Sequence, residues 1–355
     1  MSAIKRIFYV SNLNKIRLRT VFYIALFWTV IDFVIVLLRQ NEEVHTKALW
    51  FRETVMFIVS FIMGYIFVYK LRKILRHFPL WLNFLAKSFI LLGSAFILTF
   101  IIQFTDSYFF QGLNASEAFH EIQSYVLYRN WLLLKIIYWM IIFFITQLIL
   151  IINEKYSPGV FLDILAGRYL NPKVEKRIVM FMDLKDSTPI AEKLGHSVYF
   201  EFIRDFIYNI SQAVIEFDGT IYQYVGDEVV CSWKFAPHNT RKCLDTVIRA
   251  KRNIQIRSRY FKKKYNIVPD FRVGIHIGEV TIGEIGVIKK DLAMSGDTMN
   301  TTARIRSACS ELKHHFIVSK TFVENIDLKK WETKSLGVVD LKGVGTGIEL
   351  FSLKI

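Results

Sequence analysis

Hydrophobic positions follow two regimes along this chain. Before residue 153 they form four long runs, Val21 to Leu38, Val55 to Tyr69, Phe84 to Phe104 and Trp131 to Ile152, and no run of that length recurs afterwards. Each approaches the ~20 residues a helix needs to cross a bilayer. The pattern predicts a four-helix transmembrane bundle in residues 1–152, its second span short and interrupted by Gly64. From Arg177 the period changes. Ile178 to Met182 predicts a buried strand, Thr188 to Phe217 a helix, Thr220 to Val225 and Val229 to Trp233 the arms of a hairpin, and Leu244 to Phe261 a second helix. Phe271 to Ile277 and Glu279 to Ile285 predict a second strand pair about Gly278. Such alternation predicts a sheet with helices packed on it.

Residues 153–172 join the halves. Pro158 and Gly159 break the fourth run, and Phe161, Leu162, Ile164 and Leu165 predict a turn or two of amphipathic helix ended by Gly167 and Pro172. The segment reads as a mechanical coupler or as a spacer. Residues 173–355 form the second domain.

Composition agrees with the division. A chain of 355 residues has room for two domains, but 53% hydrophobic content is too apolar for two ordinary soluble ones. The basic residues orient the bundle, because Lys and Arg in short loops stay on the cytoplasmic side. Lys5, Arg6, Lys15, Arg17 and Arg19 precede the first span, and Lys70, Arg72, Lys73 and Arg76 fill the loop after the second. The loops Gln40 to Trp50 and Thr105 to Asn130 carry Glu42, Glu43, Asp106, Glu117 and Glu121 and should face outward. A multi-pass protein of the inner (plasma) membrane is expected, with both termini and the second domain cytoplasmic. The first run is longer than a signal core and no small-residue cleavage site follows it, so it reads as a retained anchor.

Net charge is +15, much of it at membrane flanks, where anionic lipid headgroups are the expected partner. No basic patch interleaved with aromatics is present, so nucleic acid is not an expected partner. Lys87 and Lys135 lie near span ends, where long side chains reach the interface; Asp32 lies closer to mid-membrane, as a structural partner of a polar group on another helix or as a sensor contact. Cys231, Cys243 and Cys309 match no metal-ligand spacing and read as free core thiols, with no disulfide and no zinc.

The chemistry lies in three stretches of the second domain: VMFMDLKDST (Val179 to Thr188), IYQYVGDEVV (Ile221 to Val230) and SGDTMNTTARIRSAC (Ser295 to Cys309). Asp183 at a strand end and Asp227 in a hairpin turn can converge. Two carboxylates with a backbone carbonyl suit Mg²⁺ or Mn²⁺, two ions per site in a two-metal arrangement. After Asp183, residues Leu184 to Thr188 head into a helix whose free N–H groups can cradle phosphate, which makes Lys185, Asp186, Ser187 and Thr188 candidate nucleotide contacts.

FMDLKDST, YVGDEVV, GIHIGEVTIGEIG and GDTMNTTARI, in that order and spacing, resemble the class III adenylate/guanylate (nucleotidyl) cyclases over roughly Lys173 to Leu353. The resemblance implies an α+β, ferredoxin-like (βαββαβ) catalytic domain that forms a head-to-tail homodimer and binds a nucleoside triphosphate at the interface. By the same resemblance Asp183, the Leu184 carbonyl and Asp227 hold the metals, Asn300 and Arg304 are catalytic, orienting the ribose and steadying the α-phosphate, and Lys342 contacts the triphosphate. A planar fork of donors such as Arg304 suits charge building on phosphate oxygens as the ring closes. The two positions that read adenine in adenylate cyclases of the family hold Gln223 and Ala293 here. Gln223 retains a donor and an acceptor; Ala293 has neither.

The expected function is a membrane-anchored cyclase converting a nucleoside triphosphate, ATP first, to the 3′,5′-cyclic monophosphate and pyrophosphate for intracellular signalling. GTP or a pyrimidine triphosphate is the alternative substrate. A diguanylate cyclase is disfavoured because Val225 replaces the second glycine of its turn motif and Asn300/Arg304 has no role there. The non-enzymatic alternative is a catalytically silent receptor or binding module.

Overall fold

The computed structural model describes residues 12–38, 46–75, 78–128, 131–155, 163–164, 166–288, 290–326, 332–340 and 347–355. The chain divides into two compact units, one spanning Asn14–Glu154 and the other Lys155–Ile355.

The first unit is helical: α1 (Asn12–Leu38), α2 (Thr46–Tyr65), α3 (Leu80–Thr105), α4 (Ala115–Tyr128) and α5 (Trp131–Lys155). Val21, Trp28, Met63, Phe67, Leu91, Trp139 and Phe143 share one core, and Trp28 Nε1 donates to Thr146 Oγ1 at 2.9 Å. Phe89, Ile97 and Phe144 point outward, fully apolar and exposed, which suits a lipid-bathed helix and not a soluble bundle. Among the described residues three helices, Asn14–Leu38, Leu49–Leu71 and Trp81–Phe110, are long and apolar enough to cross a membrane. The expected fourth span lies in α5, whose described apolar stretch, Ile136–Ile152, is shorter. Gly64 does not break α2: its bare Cα lets α1 come close, with Val21 Cγ1 3.4 Å from where a Cβ would stand.

One expected feature is found and one stretch differs, each for a local reason. Asp32 is buried and accepts from Arg52 Nη2 (2.9 Å) and Nε (3.2 Å), so the polar partner comes from the next helix. The stretch after α3, read as a loop, contains α4, started by reciprocal bonds in which Glu117 N–H donates to Asn114 Oδ1 and Asn114 N–H donates to Glu117 Oε2.

Of the joining segment, residues 156–162 and 165 lie outside the described residues, and with them Pro158, Gly159, Phe161, Leu162 and Leu165. Its end packs into the second unit: Tyr169 is buried against Val179, Phe181, Val280 and Met294, and Arg168 pairs with Asp163 and Glu175.

The second unit is built on one mixed sheet, ordered β2-β3-β1-β4-β6-β8-β7, with β5 on the side of β4. Its strands are β1 (Lys173–Leu184), β2 (Thr220–Val225), β3 (Glu228–Lys234), β4 (Phe271–Ile285), β5 (Asp291–Ser295), β6 (Phe316–Ser319), β7 (Glu332–Val339) and β8 (Ile348–Lys354). The longer helices are α6 (Ser187–Leu194), α7 (His196–Glu216), α8 (Pro237–Ile256), α9 (Ser258–Tyr265) and α10 (Asp297–Glu311), and a single turn, Lys320–Val323, follows β6. The order β2-β3-β1-β4, all antiparallel, with helices between β1 and β2 and between β3 and β4, is the ferredoxin-like βαββαβ unit.

Strand alternation sorts the side chains of β1 into two layers. Ile178, Met180 and Met182 meet Phe202, Phe206 and Ile210 of α7 and Leu244 and Val247 of α8. Each phenylalanine so buried contributes roughly 1.5–3 kcal/mol over an exposed one. Val179 and Phe181 turn to the other face, where Tyr169, Ile282 and Met294 cover them. Asp183 continues this second series, on the face that carries α10.

Three expected elements are divided differently. The long helix from Thr188 splits at Gly195 (φ 72°, ψ 162°), and the one ending at Phe261 splits at Arg257. The strand pair about Gly278 is instead one continuous strand, β4, hairpinned to β5 farther on. Gly278 serves packing: a Cβ there would stand 2.3 Å from Thr298 Oγ1, and one at Gly274 would stand 2.5 Å from the Arg306 amide nitrogen. Two glycines four apart on one strand face let α10 lie directly on the sheet.

Candidate active site

Residues at the end of β1 and in the β2–β3 turn meet as the sequence predicts. Val225 and Glu228 pair across a two-residue turn of Gly226, at φ +61°, and Asp227. Glycine at the first turn position is the favoured chemistry for such a hairpin. Asp183 lies opposite Glu228 on one side and Arg272 on the other. Asp183, Asp227 and Glu228 are thereby gathered at one sheet end.

The cluster is part-buried, and burial dominates its electrostatics. It pushes the Asp183 carboxyl above the usual range; Arg306 and Arg272 pull it down, and Asp227 raises it further. Burial likewise raises Glu228 against the pull of Arg306. Tyr199 of α7 is shifted up by burial and then by the charge of Asp227, against a downward pull from Ser187.

Arg306 supplies the local counter-charge, its Nη1 3.5 Å from Asp183 Oδ2 and its Nε 2.7 Å from Glu228 Oε1, the latter out of line for a hydrogen bond. Asp227 Oδ2 is buried with no hydrogen-bond partner among the described residues. An unsatisfied carboxylate oxygen at this depth is costly unless something binds it. Hard oxygen donors and this orphaned atom fit a divalent cation of the Mg²⁺ type. Among the described residues no group of three His, Cys, Asp or Glu side chains forms a closed metal centre.

The other expected site residues are spread over several surfaces. Asn300 and Arg304 lie one turn apart on α10, both exposed and with no hydrogen bond or ion pair among the described residues. Arg306 is two residues on, some 200° around the helix, so the Asn300/Arg304 face turns away from this chain's own acids. Leu184 is buried in register with Phe271, while Lys185 is drawn to Asp270 (3.8 Å) and His315 (3.5 Å). Asp186, left-handed at φ 57°, pairs with Arg272; Ser187 opens α6 and Thr188 is exposed. Gln223 is exposed on β2 and Ala293 sits on β5 opposite Gly283. Lys342 lies outside the described residues. The cysteines are free and buried, with the Cys309 thiol pushed up to about 12 by burial.

Sequence reasoning missed Glu228, Arg272 and Arg306. Glu228 was legible as the acid following Asp227 at a strand start. Arg306 was not, because an arginine on an amphipathic helix carries no mark of the strand it will meet.

Residues 171–354 match the family of the adenylate and guanylate cyclase catalytic domain. The chain belongs to that family. Adenylate cyclase 2 of Rhizobium meliloti (strain 1021) is 30% identical over 207 residues, covering 58% of this chain and 57% of that protein. The adenylate cyclase of Anabaena cylindrica is 23% identical over 216 residues, covering 57% of this chain and 42% of the relative. The cyclase match thus spans about half the length of these curated relatives. A bacterial light-regulated adenylyl cyclase of known structure shares the cyclase fold at a TM-score of 0.53 and 18% identity, covering 61% of this chain and 64% of that one.

Proposed function

We propose that this chain is a membrane-anchored nucleotidyl cyclase that closes a nucleoside triphosphate, ATP first, into its 3′,5′-cyclic monophosphate and pyrophosphate, working as a homodimer in the inner membrane with its catalytic domain in the cytoplasm. The observation that carries the reading is the convergence of Asp183 with half-buried Asp227, whose Oδ2 has no hydrogen-bond partner among the described residues, on one side of the domain, while Asn300 and Arg304 stand exposed and without a partner among the described residues on another face. One copy holds two half-sites that face apart; two copies placed head to tail complete both.

Asp183, the Leu184 carbonyl and Asp227 would hold two Mg²⁺ or Mn²⁺ ions, which when bound activate the ribose 3′-hydroxyl and neutralise charge on the leaving pyrophosphate. The chain's own groups do the rest. The partner copy's α10 presents a guanidinium fork to the α-phosphate oxygens and an amide to the ribose, holding the 3′-oxygen in line with the bond that breaks. Free N–H groups at the start of α6, beside Ser187 and Thr188, face phosphate oxygens. Lys342 is a further triphosphate contact in this proposal. Gln223 and Ala293 flank the base; with one amide and one methyl they read it more loosely than two charged groups would, which keeps GTP and pyrimidine triphosphates as alternative substrates.

Full-length protein in detergent, given each of the four ribonucleoside triphosphates with Mn²⁺, is expected to release pyrophosphate and a cyclic monophosphate, fastest from ATP. Absence of product from all four would favour a silent binding module.

A further inference from the structure

Two carboxylates, at the end of β1 and the start of β3, share one guanidinium, and a third lies beside them in the turn. Arg306 reaches Asp183 Oδ2 at 3.5 Å through Nη1 and Glu228 Oε1 at 2.7 Å through Nε, and Asp227 Oδ2 beside them has no hydrogen-bond partner among the described residues. The root of this side chain is fixed, because the α10 backbone at Arg306 lies against Gly274 with no room for a Cβ. Arg306 therefore holds its charge where a cation bound to Asp183 would put its own.

Resting on the reading of Asp183 and Asp227 as the metal acids, we propose that Arg306 is a tethered cation competing with free divalent metal for Asp183, so that metal enters the site with the nucleotide and not ahead of it. A divalent ion approaching alone must displace the guanidinium from Asp183 and then remain a few ångströms from it, in a part-buried place where screening is weak. The triphosphate reverses that balance. Its oxygens complete the shell of the ion, and they offer the freed guanidinium a second acceptor of the planar geometry it prefers. Glu228 keeps Arg306 within reach throughout, which makes the pair a positioning device. The competition needs no partner protein, only charge on α10 directly over the end of β1.

The test counts bound Mn²⁺ by electron paramagnetic resonance on full-length protein in detergent, with no nucleotide present. Arg306→Gln is expected to bind Mn²⁺ about tenfold tighter or more than wild type, and Arg306→Lys, which keeps the charge, close to wild type. Arg306→Met repeats the neutral comparison with different packing, and melting curves verify that each variant is folded. Equal or weaker Mn²⁺ binding in the neutral variants overturns the inference; so does wild-type protein that binds Mn²⁺ as tightly alone as with a non-hydrolysable triphosphate. Wild-type turnover is read separately. Turnover with unchanged Mn²⁺ binding in Arg306→Gln removes this inference and leaves the cyclase reading; tighter binding without turnover does the reverse; no Mn²⁺ binding by any of the proteins, with or without nucleotide, removes both.

Discussion

Arg304 and Arg306 stand two residues apart on α10 and serve opposite sides of it: Arg306 is paired with Asp183 and Glu228 inside the chain, whereas Arg304 is exposed and unpaired among the described residues. If the catalytic site is shared between copies, Asp227→Asn and Arg304→Ala should each lower turnover by roughly 100-fold or more. Mixed in equal amounts, they should recover about a quarter of wild-type rate, since half of the dimers then hold one intact site of two. A mixture no faster than either variant would show that the acids and Arg304 work within one copy.

Gly278 tests the seat of α10. A methyl group there meets Thr298 Oγ1, which donates to the Glu279 carbonyl at 2.6 Å. Gly278→Ala should cost about 1–3 kcal/mol in thermal or denaturant unfolding of the second unit, and turnover should fall with it as α10 shifts. Gly195→Ala adds a methyl where nothing lies within 4 Å but forces a left-handed residue, so it should cost stability without moving α10.

His276 is largely but not fully buried and hydrogen-bonded to Ser319, and burial lowers its pKa to about 4, against an upward pull from Asp297. The imidazole is neutral in the fold, while the unfolded chain takes up a proton below about 6.5. Stability is therefore full above that pH and is lost as pH falls from 6.5 toward 4, by on the order of 3 kcal/mol. His276→Gln should flatten the acid limb of the melting temperature over this window; an unaltered limb would place the sensitivity elsewhere.

Within the first unit, Arg52→Leu leaves Asp32 buried without its cation and should destabilise the helical unit by about 3–5 kcal/mol. The double variant Asp32→Leu/Arg52→Leu should recover most of that loss. Detergent-resistance and thermal-melt measurements on full-length protein distinguish a structural pair, for which the double variant restores stability, from an unpaired functional acid.

Periodicity alone marked the apolar helices, the β1 core, the β2–β3 hairpin and the acids that end them, because the forces behind those features act between residues near in sequence: alternation sorts one strand, and a glycine shapes one turn. Asn300 and Arg304 were marked by the family resemblance of their motif, not by periodicity. Partners that come from elsewhere in the chain were not legible. Arg52 beside Asp32, Arg306 over Asp183 and Glu228, and the use of Gly274 and Gly278 as bare floor under a helix depend on which elements the fold lays together, and a one-dimensional pattern does not contain that distance. Gly278 shows the difference most plainly: as a letter between two apolar runs it reads as a turn, whereas pairing with Arg177 of β1 makes it the middle of a strand and Thr298 above it leaves no room for a side chain.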